Sequence, residues 1–185
     1  MKIEGKDDII IKRNSEGIPK VIAKNESDLY FGMGYCHAKD RGIQMMVMRI
    51  LGQGKGSEYL ESSDDMLEID KFFRQMDWNN NIDNEIAKFT NVEKEKLQAY
   101  CDGVKLNFSK NKPWELKLLL GYNKFDWNIE DIILLSRMAG YLTLAQSQGE
   151  IERLFIEMVQ NGASREMLDE LFPGILDDYD EEIIK

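Results

Sequence analysis

Apolar and polar positions divide the chain into a short β-like opening and a long helical remainder. In residues 8–24, DIIIKRNSEGIPKVIAK, two β-favouring runs flank SEGIP, where Gly17 and Pro19 supply turn chemistry, and this spacing predicts a β-hairpin. Ser27 reads as a helix N-cap with Asp28 in the first turn. Behind it, apolar residues run through Leu29, Phe31, Met33, Tyr35, Cys36, Ile43, Met46, Val47, Ile50 and Leu51, predicting one long helix that ends at glycines 52, 54 and 56. Gly32, Gly34 and Gly42 each cost a helix up to about 1 kcal/mol relative to alanine. A closely packed partner is therefore expected along that face.

Further on, SEYLESSDDMLEIDKFFRQM predicts a short helix and then an apolar-periodic segment through Met66, Leu67, Ile69, Phe72, Phe73 and Met76. A helix opened by Asn91, with Glu93 nearby, buries Leu97, Tyr100, Cys101, Val104, Leu106 and Phe108, and Pro113 closes the region. The stretch PWELKLLLGYNKFDWN mixes large apolar residues with Gly and Asn, and predicts an ordered connection containing one short extended piece. Asn128 then caps a helix from Ile129 to about Ala145, and EIERLFIEMVQNG makes another. The last, SREMLDELF, is capped by Ser164, carries Glu166 in its first turn and stops at Pro173 and Gly174. The expected fold is mainly α with a small N-terminal β element. It forms a single helical domain over 1–176, followed by an acidic tail or trimmed linker over 177–185.

Composition narrows the class. At 185 residues and 43% hydrophobic content the chain can bury one ordinary core. A formal net charge of -10 argues against nucleic acid as a partner, because phosphate binding needs clustered Lys and Arg. No run approaches 18 consecutive apolar residues, so no membrane span is expected, and the opening MKIEGKDDIII has no apolar export core. Localisation stays open. Cys36 and Cys101 lie far apart without CxxC spacing and are expected as buried thiols. With one histidine, His37, the chain is a poor candidate for zinc chemistry, and the amphipathic helical setting of that residue favours a structural imidazole.

The stretch from Ser15 to Glu58 carries more information. Gly17, Ile18 and Pro19 form a GIP turn; Gly34, Tyr35, His37, Ala38, Asp40, Arg41, Gln44 and Met45 follow as GY-x-HA-x-DR-x-x-QM; Gly54, Ser57 and Glu58 close a Gly-rich turn. This ordered series resembles the opening of the penicillin acylase family of N-terminal nucleophile hydrolases, and AYCDGVKLNF, residues 99–108, looks like that family's next recurrent block. Asp40, Arg41, Gln44 and Arg49 on one helix are expected to pair with one another or with nearby loops, or else to form a solvated charged face.

The resemblance implies an α subunit completing an αββα heterodimer. A precursor is cut in two, and the N-terminal serine of the larger β chain attacks the amide with its own α-amino group as base. This chain begins Met-Lys-Ile, so it is expected to supply no catalytic residue. By position in SRMAGYLTLAQSQGEIERL, the resemblance implies that Met138, Tyr141 and Leu142 line the acyl pocket; core packing at helical spacing is the alternative. Leu142 stands where a family member carries an aromatic residue, so a preference for aromatic acyl groups is not implied. Glu150, reached through a two-residue insertion, is implied as a ligand of a structural calcium shared with the larger chain. The substrate is then a small-molecule N-acyl amide, with penicillin-type side chains, cephalosporin side chains and acyl-homoserine lactones all open. The rival expectation is a non-catalytic helical interaction module that retains the small-subunit architecture.

Overall fold

The computed structural model of the chain describes residues 1–174, apart from the side chains at 119 and 144–146. Its contacts gather in two units, Met1–Met138 and a second beginning at Ala139. The domain expected over 1–176 is accordingly described in two parts. The acidic tail expected over 177–185 lies outside the described residues.

The first unit opens with an antiparallel sheet of β1 (Lys2–Glu4), β2 (Asp8–Arg13) and β3 (Pro19–Ile22), in that order. β2 and β3 are the expected hairpin, with Ile11 opposite Val21, and Gly17 takes a positive φ of 80° at the turn. β1 escapes sequence reading because three residues are too short to display an alternation. It is held by pairing Ile3 with Ile9. Ile3, Ile9 and Ile11 all point to one face and are buried with Tyr35 and Cys36.

Those last two residues belong to α1 (Glu26–Gly52), the long helix read from the sequence, which ends at the first of the three glycines. Its cap is Asn25 and not Ser27: Asn25 has extended backbone and its side chain accepts from the Asp28 N–H at 2.8 Å. Asp28 is in turn occupied, accepting from the Lys6 and Asp7 N–H groups at 2.7 and 2.9 Å. α5 (Asn91–Lys110) lies against α1 and starts from a capping box between Thr90 and Glu93. The two helices touch backbone to backbone. A Cβ on Gly34 would stand 2.1 Å from the Tyr100 carbonyl oxygen, and one on Gly103 only 1.9 Å from that of Phe31. The helix costs of glycine in α1 thus serve a close crossing.

Between them come α2 (Gly56–Tyr59), α3 (Asp64–Met76, capped by Ser63) and α4 (Ile82–Lys88). α4 was not expected: it has seven residues and lies just beyond Asp77 and Asn81, two non-glycine residues with positive φ that interrupt the pattern. The extended piece expected after Pro113 is instead a helix, α6 (Trp114–Leu120), whose Leu116 is buried and which Gly121 ends at φ 65°. An irregular stretch follows, holding the buried Tyr122 and Trp127, and then α7 (Ile129–Gly140).

In the second unit, a π-helical turn over Tyr141–Ala145 replaces the last turns expected of α7. α8 (Gln146–Gln160) and α9 (Arg165–Leu171) complete it. Phe155 and Phe172 meet edge to face at 5.5 Å, and Ser164 caps α9 as expected. No helix among the described residues is long and apolar enough to cross a membrane.

Candidate functional site

α7 is positioned from below by one buried cation. Arg49 of α1 is 3% exposed. Its guanidinium donates to Asp131 Oδ2 at 3.2 Å, to the Tyr122 hydroxyl at 2.8 Å, and to the carbonyls of Asp126 and Lys124, while lying over the Tyr122 and Trp127 rings. Burial disfavours the guanidinium, and the facing Asp131 and Tyr122 more than offset it, leaving its pKa above the ordinary value. Burial pushes the Asp131 carboxyl above the usual range, against the opposing pull of Arg49 and the Asn128 N–H. Arg49 therefore pairs with a residue 82 positions away and not with Asp40 or Arg41 on its own helix. The physical reason is its register: it lies on the stripe of α1 that buries Met45 and Met46, whereas Asp40 faces β2 and binds Arg13 at 2.7 Å.

The partner was legible in outline. Asn128 and Asp131 cap each other reciprocally, Asn128 N–H to Asp131 Oδ2 at 3.0 Å and Asp131 N–H to Asn128 Oδ1 at 3.2 Å. An acid three residues after a capping Asn is a visible signal. Arg137 gives no comparable signal. It closes the other end of α7, donating to the carbonyls of Trp78 and Asn80 at 2.6 and 2.9 Å and to Glu85 at 2.5 Å. It thereby ties α7 to the turn between the two positive-φ residues and to α4 itself.

The three expected pocket residues differ in exposure. Met138 is fully buried at 0%, clustered with Phe73, Ile82, Ile133 and Leu134, and its sulfur comes so near α1 that a Cβ on Gly52 would stand 2.3 Å from it. Tyr141 is half-buried in the π-helical turn, and Leu142 beside it is 45% exposed. A π turn inserts an extra residue into the helical repeat, which swings the side chains after it onto a new face. Thr143 satisfies a carbonyl there, its hydroxyl donating to that of Ala139 at 2.6 Å.

Glu150 stands exposed on α8. Among the described residues no three His, Cys, Asp or Glu side chains gather into a metal site. Calcium takes six to eight oxygens, so these residues do not by themselves fit one.

His37 and the two cysteines show no activation among the described residues. His37, the chain's one histidine, is exposed on α1, its Nδ1 3.0 Å from the hydroxyl of Tyr100, whose pKa burial pushes up to about 12. Cys36 and Cys101 are buried free thiols as expected; burial raises both, Cys101 to about 12. A thiol held protonated is a poor nucleophile. In the motif of α1, Gly34, Tyr35, Ala38 and Met45 are buried, while His37, Asp40, Arg41 and Gln44 face outward. The helix bends within this motif, at Arg41, whose φ of −133° and ψ of 17° are not helical.

Comparison with known proteins gives concordant results. A family model described as penicillin amidase matches residues 8–179. The acyl-homoserine lactone acylase QuiP of Pseudomonas fluorescens is 28% identical over 151 residues, 80% of this chain and 18% of that protein. The penicillin G acylase of Escherichia coli is 33% identical over 101 residues, 55% of this chain and 12% of that one. The chain thus spans less than a fifth of the length of these relatives. Among solved structures, a thermostable penicillin G acylase from Alcaligenes faecalis superposes with a TM-score of 0.65 at 21% identity, covering 88% of this chain and 90% of that one, a likeness of fold.

Proposed function

Given that the chain belongs to the penicillin amidase family, we propose that it is the non-nucleophilic α subunit of an acylase that hydrolyses an N-acyl amide, with the attacking N-terminal serine on a separate β chain. The observation that carries this reading is chemical. The fold of an acylase is here, yet the one imidazole is bonded to a tyrosine that stays protonated, and both thiols are buried and protonated. The length of the relatives left unmatched has room for the rest of the machinery.

In this reading the chain shapes the acyl end of the pocket. Leu142 and Tyr141 supply an apolar wall and an aromatic plane with a polar tip. Met138, buried in its own cluster with Phe73, Ile82, Ile133 and Leu134, meets substrate only if that end of α7 opens. The π turn aims the two outer residues, and Arg49 and Arg137 fix the helix that precedes it. A calcium ion at Glu150 would take its other oxygens from the β chain and would be structural.

The test uses the complete gene product and the chain alone. The isolated chain is expected to release no acid from penicillin G or from an acyl-homoserine lactone, and the two-chain complex to release it from at least one. Activity of the isolated chain, or an inactive complex that binds neither compound, would remove the reading. Within an active complex, Leu142→Ala and Tyr141→Ala should change the ratio of kcat/KM between short and long acyl groups by about tenfold or more, the effect of roughly 1–3 kcal/mol of pocket contact.

A further inference from the structure

Where α1 bends at Arg41, a groove of about 580 Å³ opens between the bend, the C-terminal turn of α5 and the start of α6. Its floor holds Asn107, which is 1% exposed and whose Nδ2 and Oδ1 both lack a hydrogen-bond partner among the described residues. Leaving a buried amide unmatched costs about 1–3 kcal/mol per group, a cost not explained by packing, since a leucine of similar size would fill the space without it. The walls are mixed. Ile43 and Trp114 expose 43% and 63% of their surface. Lys39, Arg41 and Lys112 bring three exposed cations, none with an ion pair among the described residues, against two carboxylates in the same lining, Glu115 and Asp40, the latter engaged by Arg13. Three cations to one carboxylate not engaged elsewhere is a positive excess that stands out on a chain of net charge -10.

Each of these features selects the same occupant. An Asn amide donates through the N–H groups of Nδ2 and accepts at Oδ1, the complement of a peptide C=O and N–H in extended backbone. Exposed indole and isoleucine suit the side chains of such a strand, and the cations call for carboxylates. We propose that this groove docks an extended, acidic segment of the larger chain, a proposal that rests on the two-chain reading. The relatives' unmatched length supplies the segment, and the outward-facing half of the α1 motif is the surface it covers.

The experiment uses the two-chain complex from the complete gene. With Trp114 replaced by photo-crosslinking p-benzoylphenylalanine, irradiation is expected to join this chain to a stretch of the partner containing Asp or Glu. The double variant Arg41→Glu, Lys112→Glu should weaken association at least tenfold and flatten its salt dependence, while Lys88→Glu, on α4 outside the groove, leaves both unchanged. Asn107→Leu should keep or raise the denaturation midpoint of the chain alone yet weaken association several-fold, which separates docking from folding. A complex that forms with unaltered affinity in both groove variants, or a crosslink confined to this chain or to a foreign protein, overturns the docking and leaves the subunit reading standing. If no second chain co-purifies, both fall.

Discussion

At the scale of single residues, the chain places its charges where removing one has a sign that can be stated in advance. Arg49 and Asp131 are buried together, so Arg49→Met leaves a carboxylate without its counter-charge. This should lower unfolding free energy by about 3–5 kcal/mol, as buried pairs do when only one member is removed. Restoring much of that loss in the double variant Arg49→Met, Asp131→Leu would be seen in urea denaturation; equal losses in single and double variants would show that the pair is not the cause. Asp70 and Asp28 behave differently. Burial pushes the Asp70 carboxyl up, but the Ser57 hydroxyl, the Ser57 and Gly56 N–H groups and Arg74 outweigh it, and the net pKa lies below the ordinary value. Asp28 is likewise lowered, against burial, by the Lys6 N–H, Asn25 and the Asp7 N–H. A carboxyl depressed in the folded state stabilises it above the unfolded pKa, near 3.9, and that contribution is lost as pH falls through the folded value. Stability should thus decline below about pH 4, and urea midpoints of Asp28→Asn and Asp70→Asn should fall less steeply with acid than those of the parent chain. An unchanged acid slope in both variants would contradict this assignment.

Elements are fixed by contacts of a different kind, and here glycine decides. At Gly34 and Gly103 an added methyl group meets backbone oxygen, which cannot rotate away, so Gly34→Ala and Gly103→Ala should each force α1 and α5 apart. The expected cost is about 1–3 kcal/mol or more, read as a fall in Tm. Gly140 has nothing within 4 Å of its Cβ position, and Gly140→Ala should stabilise α7 by roughly 0.5–1 kcal/mol. Opposite signs for the same substitution at the α1–α5 crossing and in α7 form the check. Much at this scale was legible beforehand: the hairpin, the long helix with its crowded glycines, and the Ser164 cap all follow from local pattern. What was not legible depended on partners remote in sequence. Ser27 has the chemistry of a cap, but Asn25 has the extended backbone; α6 was read as a connection because Leu116 is the one fully buried side chain among those described in it; the π turn leaves no trace in periodicity. Arg49 was expected to pair with neighbours on its own helix or with nearby loops, or to stay solvated; the loop carbonyls of Lys124 and Asp126 fit the second of these, but spacing along one helix says nothing about which carboxylate, 82 residues on, completes the set.

For the whole molecule, the question is what covers the surface. Ile151, Leu154, Ile156, Val159, Met167 and Leu171 of α8 and α9 are each between 46% and 57% exposed, more apolar surface than a small unit ordinarily leaves to water. In the two-chain reading these faces meet the β chain. The isolated chain should then bind an apolar fluorescent dye strongly and self-associate, and assembly should suppress both; equal dye binding by chain and complex would mean that the faces stay open. The family was legible from residues 15–58, and the match over residues 8–179 extends it to nearly the whole chain. The pocket residues were read from a shorter stretch, where helical spacing alone does not separate an exposed side chain such as Leu142 from a buried one such as Met138.

The crossing of α1 and α5 also bears on how this chain can change over time. Two helices whose main chains rest on each other at Gly34 and Gly103 have no side chain through which a drifting sequence could adjust their spacing. Elsewhere in the core, one substitution can compensate another; at these two positions nothing smaller exists to substitute. A library randomised across the chain and selected for a soluble, folded product should therefore return glycine at both while the positions around them diversify. Those two letters would then serve as a fixed reference for aligning relatives too distant to match elsewhere.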